Sequence, residues 1–135
     1  MTQIVRGYLE IYRNNIVHRD LKPSNIFIKG RTLLIADFGF SAKEVNMRQP
    51  CNYNVGSPLY MPPEALVDNQ YGFKSDIWSL GVIYYEMLFG KTPWVAHNEK
   101  QLSKYIIENP ILTKIPKVLT KMSMEFLSRA LDPNI

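Results

Sequence analysis

The segment Asp76–Phe89 constrains the fold more than any other part of the sequence. It is apolar nearly all round, with one aspartate at its start and one glutamate near its end, and Gly90 follows it. A helix that is apolar on every side has to be buried. This segment therefore predicts a central helix with other elements packed around it, ending at a glycine that readily forms a C-cap.

The flanking sequence predicts further helices and one hairpin. Ile4–Asn15 carries apolar residues at spacings of three and four, which is the helical period. Two short apolar runs, Asn25–Ile28 and Thr32–Ala36, are separated by three residues that include Gly30, a spacing typical of a β-hairpin. Shorter helices are predicted at 64–67, 98–108 and 123–131. The predicted class is α+β, mainly α-helical with a small hairpin, in one domain.

Composition and charge exclude several classes of protein. The net charge is +4, but no run of five basic residues occurs, so no nucleic-acid partner is predicted. Cys51 is the single cysteine, which excludes an internal disulfide and fits a reducing compartment. No apolar run approaches the ~18 residues that span a bilayer. These features predict a soluble protein of the cytoplasm or the nucleus with no membrane partner.

A compact polar set lies at His18–Asn25, next to the first predicted strand. Asp20 supplies a carboxylate, Lys22 an ammonium and Asn25 a carboxamide. Phosphoryl transfer needs such groups, because a carboxylate can orient the attacking hydroxyl and an ammonium can neutralise the moving phosphoryl. An amide oxygen can also hold Mg²⁺. Asp37–Gly39, after the second strand, would add another carboxylate for the same hard cation.

These motifs resemble the signature of the eukaryotic serine/threonine protein kinase family. The pattern H-R-D-x-K-x-x-N at 18–25 fixes five positions, which random sequence matches in about one window in three million. The segments Gly56–Glu64 (GSPLYMPPE) and Asp76–Val82 (DIWSLGV) resemble further family motifs, in the family's order. The resemblance runs from about Gly7 to Pro133. It implies that 1–135 is part of a kinase domain, its C-terminal lobe, with a catalytic loop at 18–25, an activation segment at 37–64 and a central helix at about 76–89.

The resemblance implies roles at the reacting centre. Asp20 would be the catalytic base, and Lys22 would contact the γ-phosphate of ATP. Asn25 and Asp37 would bind Mg²⁺, and Phe27 would form the floor of the adenine pocket. Lys22 also indicates a serine or threonine acceptor. The implied reaction is therefore transfer of the ATP γ-phosphate to Ser or Thr of a protein substrate.

The resemblance also implies supporting roles around that centre. Ser57 would bridge Asp20 and Lys22 and shape the pocket for the residue after the acceptor. Arg19 would pair with a phosphate on the activation segment. Either Tyr53 carries that phosphate, or activation does not depend on phosphorylation there. The structural residues would be His18 and Phe38, stacked internally; Gly39, at a turn; Glu64, held by an arginine; and Asp76, which accepts hydrogen bonds from the catalytic-loop backbone.

The sequence departs from the family pattern in the parts that cover ATP. Its seven glycines form no G-x-G, and no V-A-I-K-like strand supplies a lysine for the α- and β-phosphates. The upper lobe of the kinase domain is therefore expected to be missing. That lobe or a regulatory partner is expected to be needed for phosphate transfer. Pro62 stands where alanine is usual, and the arginine expected to hold Glu64 is absent from the final residues.

Three interpretations remain open. The chain is a serine/threonine kinase lobe, a catalytically silent protein-binding module, or the product of an incompletely predicted gene. The chain alone is expected to be inactive and only marginally stable. Its loop at 40–55 is expected to be disordered, and the apolar surface around Phe27, Ile35 and Phe38 to be exposed.

Overall fold

The computed structural model describes residues 1–43, 55–115 and 118–133, and structural statements refer to these ranges. The helices are α1 (Thr2–Arg13), α2 (Pro63–Asp68), α3 (Phe73–Phe89), α4 (Glu99–Glu108) and α5 (Lys121–Ala130). The strands are β1 (Ile16–Val17), β2 (Ile26–Lys29), β3 (Thr32–Ile35) and β4 (Ala42–Lys43). Short 3-10 turns occupy Pro23–Asn25, Pro58–Tyr60 and Ile111–Thr113. The predicted α+β class with mainly helical content is confirmed.

Helix α3 is the central element of the described fold. It begins at Phe73, three residues before the predicted start, because the Gly72 amide donates to Ser75 Oγ at 3.1 Å and closes the first turn. It ends at Gly90, whose φ of +71° is the left-handed conformation of a C-cap. A Cβ placed on Gly81 would lie 2.9 Å from the Leu131 side chain. A glycine at this position therefore lets the end of α5 pack directly against the middle of α3.

Two hydrophobic clusters share α3. Trp78, Val82 and Tyr85 pack with α2, α4 and α5 in the larger cluster. Leu80 and Ile83 pack with α1 and the loop that follows β1 in the smaller one. Fully burying side chains of this size contributes about 1.5–3 kcal/mol each. The almost uniformly apolar sequence of α3 is thus explained by burial on two opposite sides.

The predicted hairpin is formed by β2 and β3, which pair antiparallel with Ile26 opposite Ile35. Gly30, with a φ of +60°, lies in its tip. Phe27 and Phe38 are 56% and 45% exposed, as expected. The expectation for Ile35 is wrong, because this side chain is half-buried against the cluster under α1.

A second, shorter pairing was not predicted. Strands β1 and β4 pair antiparallel, with Ile16 opposite Lys43 and Val17 opposite Ala42. Two-residue strands carry no periodic signal, so only the folded backbone reveals them. The start of the loop expected to be disordered is therefore a strand, and residues 44–54 of that loop lie outside the described ranges.

Side-chain caps set the starts of the last two helices. Asn98 Oδ1 accepts the Gln101 amide at 2.9 Å at the start of α4. Thr120 Oγ1 accepts the Ser123 amide at 3.2 Å, so α5 begins two residues before the predicted start. Over the ranges that the structure describes, every helix is too short or too polar to cross a membrane.

Candidate active site

One buried carboxylate, that of Asp76, anchors the His18–Asn25 loop through backbone amides. Asp76, in the first turn of α3, accepts the His18 amide through Oδ2 at 2.8 Å and the Arg19 amide through Oδ1 at 2.9 Å. Arg19 has a φ of +68°, an unfavourable conformation that surrounding contacts have to hold. Burial raises the pKa of Asp76 to about 6, while the two amides act in the opposite direction. The loop is therefore fixed by one side chain, which lies 58 positions from His18 and 57 positions from Arg19 in the sequence.

Asp20, Lys22 and Ser57 form a closed ring of polar contacts. Lys22 Nζ lies 2.8 Å from Asp20 Oδ2 and donates to Ser57 Oγ at 2.8 Å. Ser57 Oγ in turn donates to Asp20 Oδ1 at 3.0 Å. Asp20 is only 5% exposed. The ring fixes the direction of a nearly buried carboxylate and places an ammonium directly beside it.

Asn25 also forms hydrogen bonds with Asp20. Its Nδ2 donates to Asp20 Oδ2 at 3.1 Å and to the Asp20 carbonyl at 2.9 Å. These contacts use the amide nitrogen and leave Oδ1 as an available acceptor. The Asn25 carbonyl also accepts the Ala36 amide at 2.9 Å, which ties the loop to the end of β3.

Asp37 follows Ala36 directly and carries an exposed carboxylate. Its Oδ1 accepts the Gly39 amide at 3.3 Å. The left-handed conformation in this turn belongs to Asp37, with a φ of +63°, and not to Gly39. The predicted turn is therefore present, but the unusual backbone conformation lies on the carboxylate residue itself.

The donor set formed by Asn25 and Asp37 suits a hard cation. Both residues offer oxygen atoms, which Mg²⁺ prefers, and proteins commonly supply only one or two such ligands beside substrate phosphates. Over the described ranges, no group of three or more His, Cys, Asp or Glu side chains forms a cage for a metal. The oxygen donors of Asn25 and Asp37 fit an Mg²⁺ ion that would share its coordination with a phosphate ligand.

His18 connects the loop to Phe38. Their ring centroids lie 5.0 Å apart, but Phe38 remains 45% exposed, so the predicted internal stack is open to solvent on one side. His18 Nδ1 accepts the Asp20 amide at 3.3 Å, which leaves Nε2 to donate to the Ala36 carbonyl at 3.2 Å. Burial lowers the pKa of His18. The lowered pKa favours the neutral imidazole, whose two ring nitrogens contact the backbone at Asp20 and Ala36.

The remaining predicted residues lie around this centre. The Arg19 guanidinium donates to the Phe40 carbonyl and lies 5.7 Å from the centre of the Tyr71 ring. Phe27 is on β2, with its side chain largely exposed. Tyr53 lies outside the described residues, so its pairing with Arg19 stays a prediction.

Glu64 is half-buried at the start of α2. Burial raises the pKa of Glu64, and the positive charge of Lys74 lowers it. Glu64 lines a cavity of about 560 Å³ together with Trp78, whose Nε1 is buried without an acceptor among the described residues. The described ion pairs include none to Glu64.

Two features of the site could not be read from the motifs. Gly56 has a φ of +106°, and a Cβ there would lie 2.5 Å from the Arg19 carbonyl oxygen. Tyr8 on α1 is buried, and its hydroxyl donates to the Phe73 carbonyl at 3.3 Å in the first turn of α3. A lone tyrosine on the apolar stripe of a helix indicates only a core position, so no sequence signal distinguished Tyr8.

The chain belongs to the protein kinase family, since it matches the protein kinase domain over residues 1–133. It is 39% identical over 113 residues to serine/threonine-protein kinase ATG1b of Arabidopsis thaliana, covering 81% of this chain and 16% of that protein. It is 41% identical over 108 residues to mitogen-activated protein kinase kinase 2 of Arabidopsis thaliana, covering 78% and 30%. It is 35% identical over 136 residues to serine/threonine-protein kinase ULK3 of Homo sapiens, covering 98% and 29%. The chain spans less than a third of the length of these relatives.

Proposed function

We propose that this chain provides the phosphoryl-transfer centre of a protein serine/threonine kinase, which moves the γ-phosphate of ATP to a Ser or Thr hydroxyl of a protein substrate. The observation that carries the proposal is the ring formed by Asp20, Lys22 and Ser57. A nearly buried carboxylate with an ammonium at 2.8 Å combines a proton acceptor with a positive charge for the transferred group.

In the proposed mechanism, Asp20 receives the hydrogen bond of the acceptor hydroxyl. The hydroxyl oxygen forms a bond to the γ-phosphorus as the bond to the β–γ bridging oxygen breaks, and its proton passes to Asp20. Lys22 neutralises negative charge on the moving phosphoryl group. Ser57 and Asn25 hold the Asp20 carboxylate in one orientation, which lowers the entropic part of the barrier.

Asn25 and Asp37 are the residues that would hold Mg²⁺ on the phosphate side of the site. When bound, the ion supplies charge neutralisation for the β- and γ-phosphates. Phe27, exposed on β2, would provide an apolar surface for the adenine. We assign residues 1–135 to the lower lobe of the kinase domain, with the upper lobe or a partner covering ATP.

A second candidate is a protein-binding module without catalysis. A groove of about 730 Å³ runs between the turn at 58–60 and the start of α4. Leu59 and Val95 line it and are 38% and 66% exposed. Exposed apolar side chains in a groove favour binding of a protein segment. The two candidates differ in whether Asp20 is needed for phosphate transfer.

Incorporation of labelled phosphate by the chain extended with a kinase upper lobe tests the proposal. With Mg-ATP and a Ser/Thr peptide, we expect activity that Asp20→Asn removes. Asp68→Asn, an exposed aspartate at the end of α2, is the matched control and should leave activity unchanged. Transfer that survives Asp20→Asn contradicts the proposed role, and a protein that binds the peptide but transfers no phosphate supports the binding module.

A further inference from the structure

Tyr71, between α2 and α3, holds the backbone that leads into Ser57. Its hydroxyl accepts the Val55 amide at 3.0 Å and donates to the Val55 carbonyl at 2.8 Å. Both distances are usual for hydrogen bonds, and a phenol can donate its one proton while it accepts another. Tyr71 and Val55 are both buried. One hydroxyl therefore satisfies both polar backbone groups of a buried residue.

The ring of Tyr71 also contacts the loop that carries Asp20. The guanidinium carbon of Arg19 lies 5.7 Å from the centre of this ring, within the ~6 Å over which an aromatic face attracts a cation. Gly56, next to Val55, lies so close to the Arg19 carbonyl that no side chain fits between them. Arg19 is thus contacted at its side chain by Tyr71 and at its backbone by the residue that follows Val55.

These contacts bear on Ser57, because only Gly56 separates it from Val55. Ser57 Oγ donates to Asp20 Oδ1 at 3.0 Å and accepts from Lys22 Nζ at 2.8 Å. Glycine restricts its own backbone less than any other residue. The position of Ser57 therefore depends on what holds the residues on either side of Gly56, and on one side the hydroxyl of a tyrosine does so.

We propose that Tyr71 is a positioning residue, which holds the backbone before Gly56 and thereby keeps the Ser57 hydroxyl on Asp20. The catalytic part of this inference rests on the proposed function. Asp76, five positions after Tyr71, holds the loop that carries Asp20. A single short stretch of chain therefore fixes both partners of the contact between Ser57 and Asp20.

Tyr71→Phe removes only the hydroxyl. Tyr85→Phe is the matched control, because Tyr85 is buried in the same cluster and its hydroxyl donates to the Lys114 carbonyl at 3.3 Å. Hydrogen exchange of the 135-residue chain follows the Val55 amide relative to the amides of α3, which report global opening. We expect Tyr71→Phe to speed Val55 exchange about tenfold on this scale and Tyr85→Phe to leave it unchanged. An unchanged Val55 rate in Tyr71→Phe would overturn the proposal.

The ¹³C shift of the Asp20 carboxyl tests the link to Ser57 without an activity assay. Ser57→Ala removes the hydroxyl that donates to this carboxylate, so it supplies the reference change in shift. Tyr71→Phe should move the Asp20 signal in the same direction, and Tyr85→Phe should leave it in place. An Asp20 signal that does not move in Tyr71→Phe would show that Tyr71 does not control Ser57.

Kinetics of the chain extended with a kinase upper lobe test the catalytic part. Tyr71→Phe should lower kcat about tenfold, whereas Tyr85→Phe should leave kcat unchanged. In a Ser57→Ala background, Tyr71→Phe should lower kcat no further, because the contact that it supports is already gone. Equal falls in both backgrounds would overturn the proposal, since Tyr71 would then act through general packing.

Two other kinetic outcomes have distinct meanings. A normal kcat in Tyr71→Phe, with accelerated exchange at Val55, would overturn the link from Tyr71 to catalysis. An inactive extended chain without substitutions would contradict the proposed function instead. The exchange of Val55 and the shift of Asp20 would then still decide whether Tyr71 positions Ser57.

Discussion

Gly56 approaches the backbone of Arg19 so closely that a Cβ on the glycine would lie 2.5 Å from the Arg19 carbonyl oxygen. Gly56 also has a φ of +106°, which L side chains rarely adopt. The next residue is Ser57, which contacts both Asp20 and Lys22. The absence of a side chain at position 56 thus lets the Gly56–Glu64 segment reach the His18–Asn25 loop.

Gly56→Ala should disrupt the site more than the addition of a single methyl group would suggest. The new methyl group would push against backbone and not against a flexible side chain, so Ser57 would have to move away from Asp20. We expect a loss of about 1–3 kcal/mol in the free energy of unfolding and a fall in phosphate transfer of more than tenfold. Urea unfolding of the chain and a peptide assay on the chain extended with a kinase upper lobe measure the two effects.

Gly30→Ala is the matched control for that substitution. Gly30 has a φ of +60°, but a Cβ there would meet no atom within 4 Å. This variant should show the backbone strain alone, with activity preserved. If both alanine variants behave alike, the contact between Gly56 and Arg19 is not what matters.

Ser57→Ala should reduce catalysis without unfolding the chain. The substitution removes the hydroxyl between Lys22 Nζ and Asp20 Oδ1, while the direct ion pair of Lys22 and Asp20 at 2.8 Å remains. Loss of one hydrogen bond to a charged group corresponds to a fall in kcat of about tenfold or more. Steady-state kinetics of the chain extended with a kinase upper lobe should show lower kcat, and Ser57→Thr should restore most of it. A fully active Ser57→Ala variant would exclude a role of the hydroxyl in orienting Asp20.

Glu64→Gln should leave the chain equally stable or more stable at neutral pH. Burial raises the pKa of Glu64 above its usual 4.5, so the folded state holds the proton more tightly than the unfolded state. The carboxylate therefore destabilises the fold as pH rises from about 4.5 through the folded pKa, and this effect persists at pH 7. Removing the charge removes the penalty.

Thermal melts of the 135-residue chain at pH 4 and pH 7 measure this effect. The advantage of Glu64→Gln should be present at pH 7 and nearly absent at pH 4. Glu125→Gln is the control, because Glu125 is exposed and 3.8 Å from Arg129. A clear loss of stability for Glu64→Gln at pH 7 would mean that a cation compensates the buried carboxylate in solution.

His18 should make the chain less stable as pH falls below about 6.5. Burial lowers the pKa of His18 from that value. Between the folded and unfolded pKa values, the unfolded state therefore binds a proton that the folded state does not bind. Stability from this group is present above pH 6.5 and decreases as pH falls toward the folded pKa. Asp76, whose pKa is raised to about 6, acts in the opposite direction. Comparison of variants is therefore needed to isolate the histidine.

Urea unfolding at pH 7.5, 6.5 and 5.5 provides that comparison. We expect the loss of stability on acidification to be smaller in His18→Gln than in the unmodified chain. His97→Gln replaces the other of the two histidines, which is exposed, and should follow the unmodified chain. Identical pH dependence in all three proteins would show that His18 takes up its proton normally in the folded state.

Local patterns in the sequence were sufficient for much of the fold. The apolar run of α3 and the helical period of α1 predict helices because side-chain periodicity follows directly from backbone geometry. The hairpin of β2 and β3 needs only two short strands and a glycine between them. The residues of the His18–Asn25 loop were found for another reason, namely that several fixed residue types at fixed spacing form a recognisable motif.

Tertiary structure alone decided which distant groups meet. Asp76 and His18 are 58 positions apart, and Ser57 and Asp20 are 37 positions apart, so no periodicity relates them. The pairing of Ile16 with Lys43, the burial of Ile35 and the contact of Tyr8 with the Phe73 carbonyl likewise depend on how α1, the hairpin and α3 pack. Periodicity reports which face of an element is buried, whereas the partner of each buried group is determined by the packing of the whole chain.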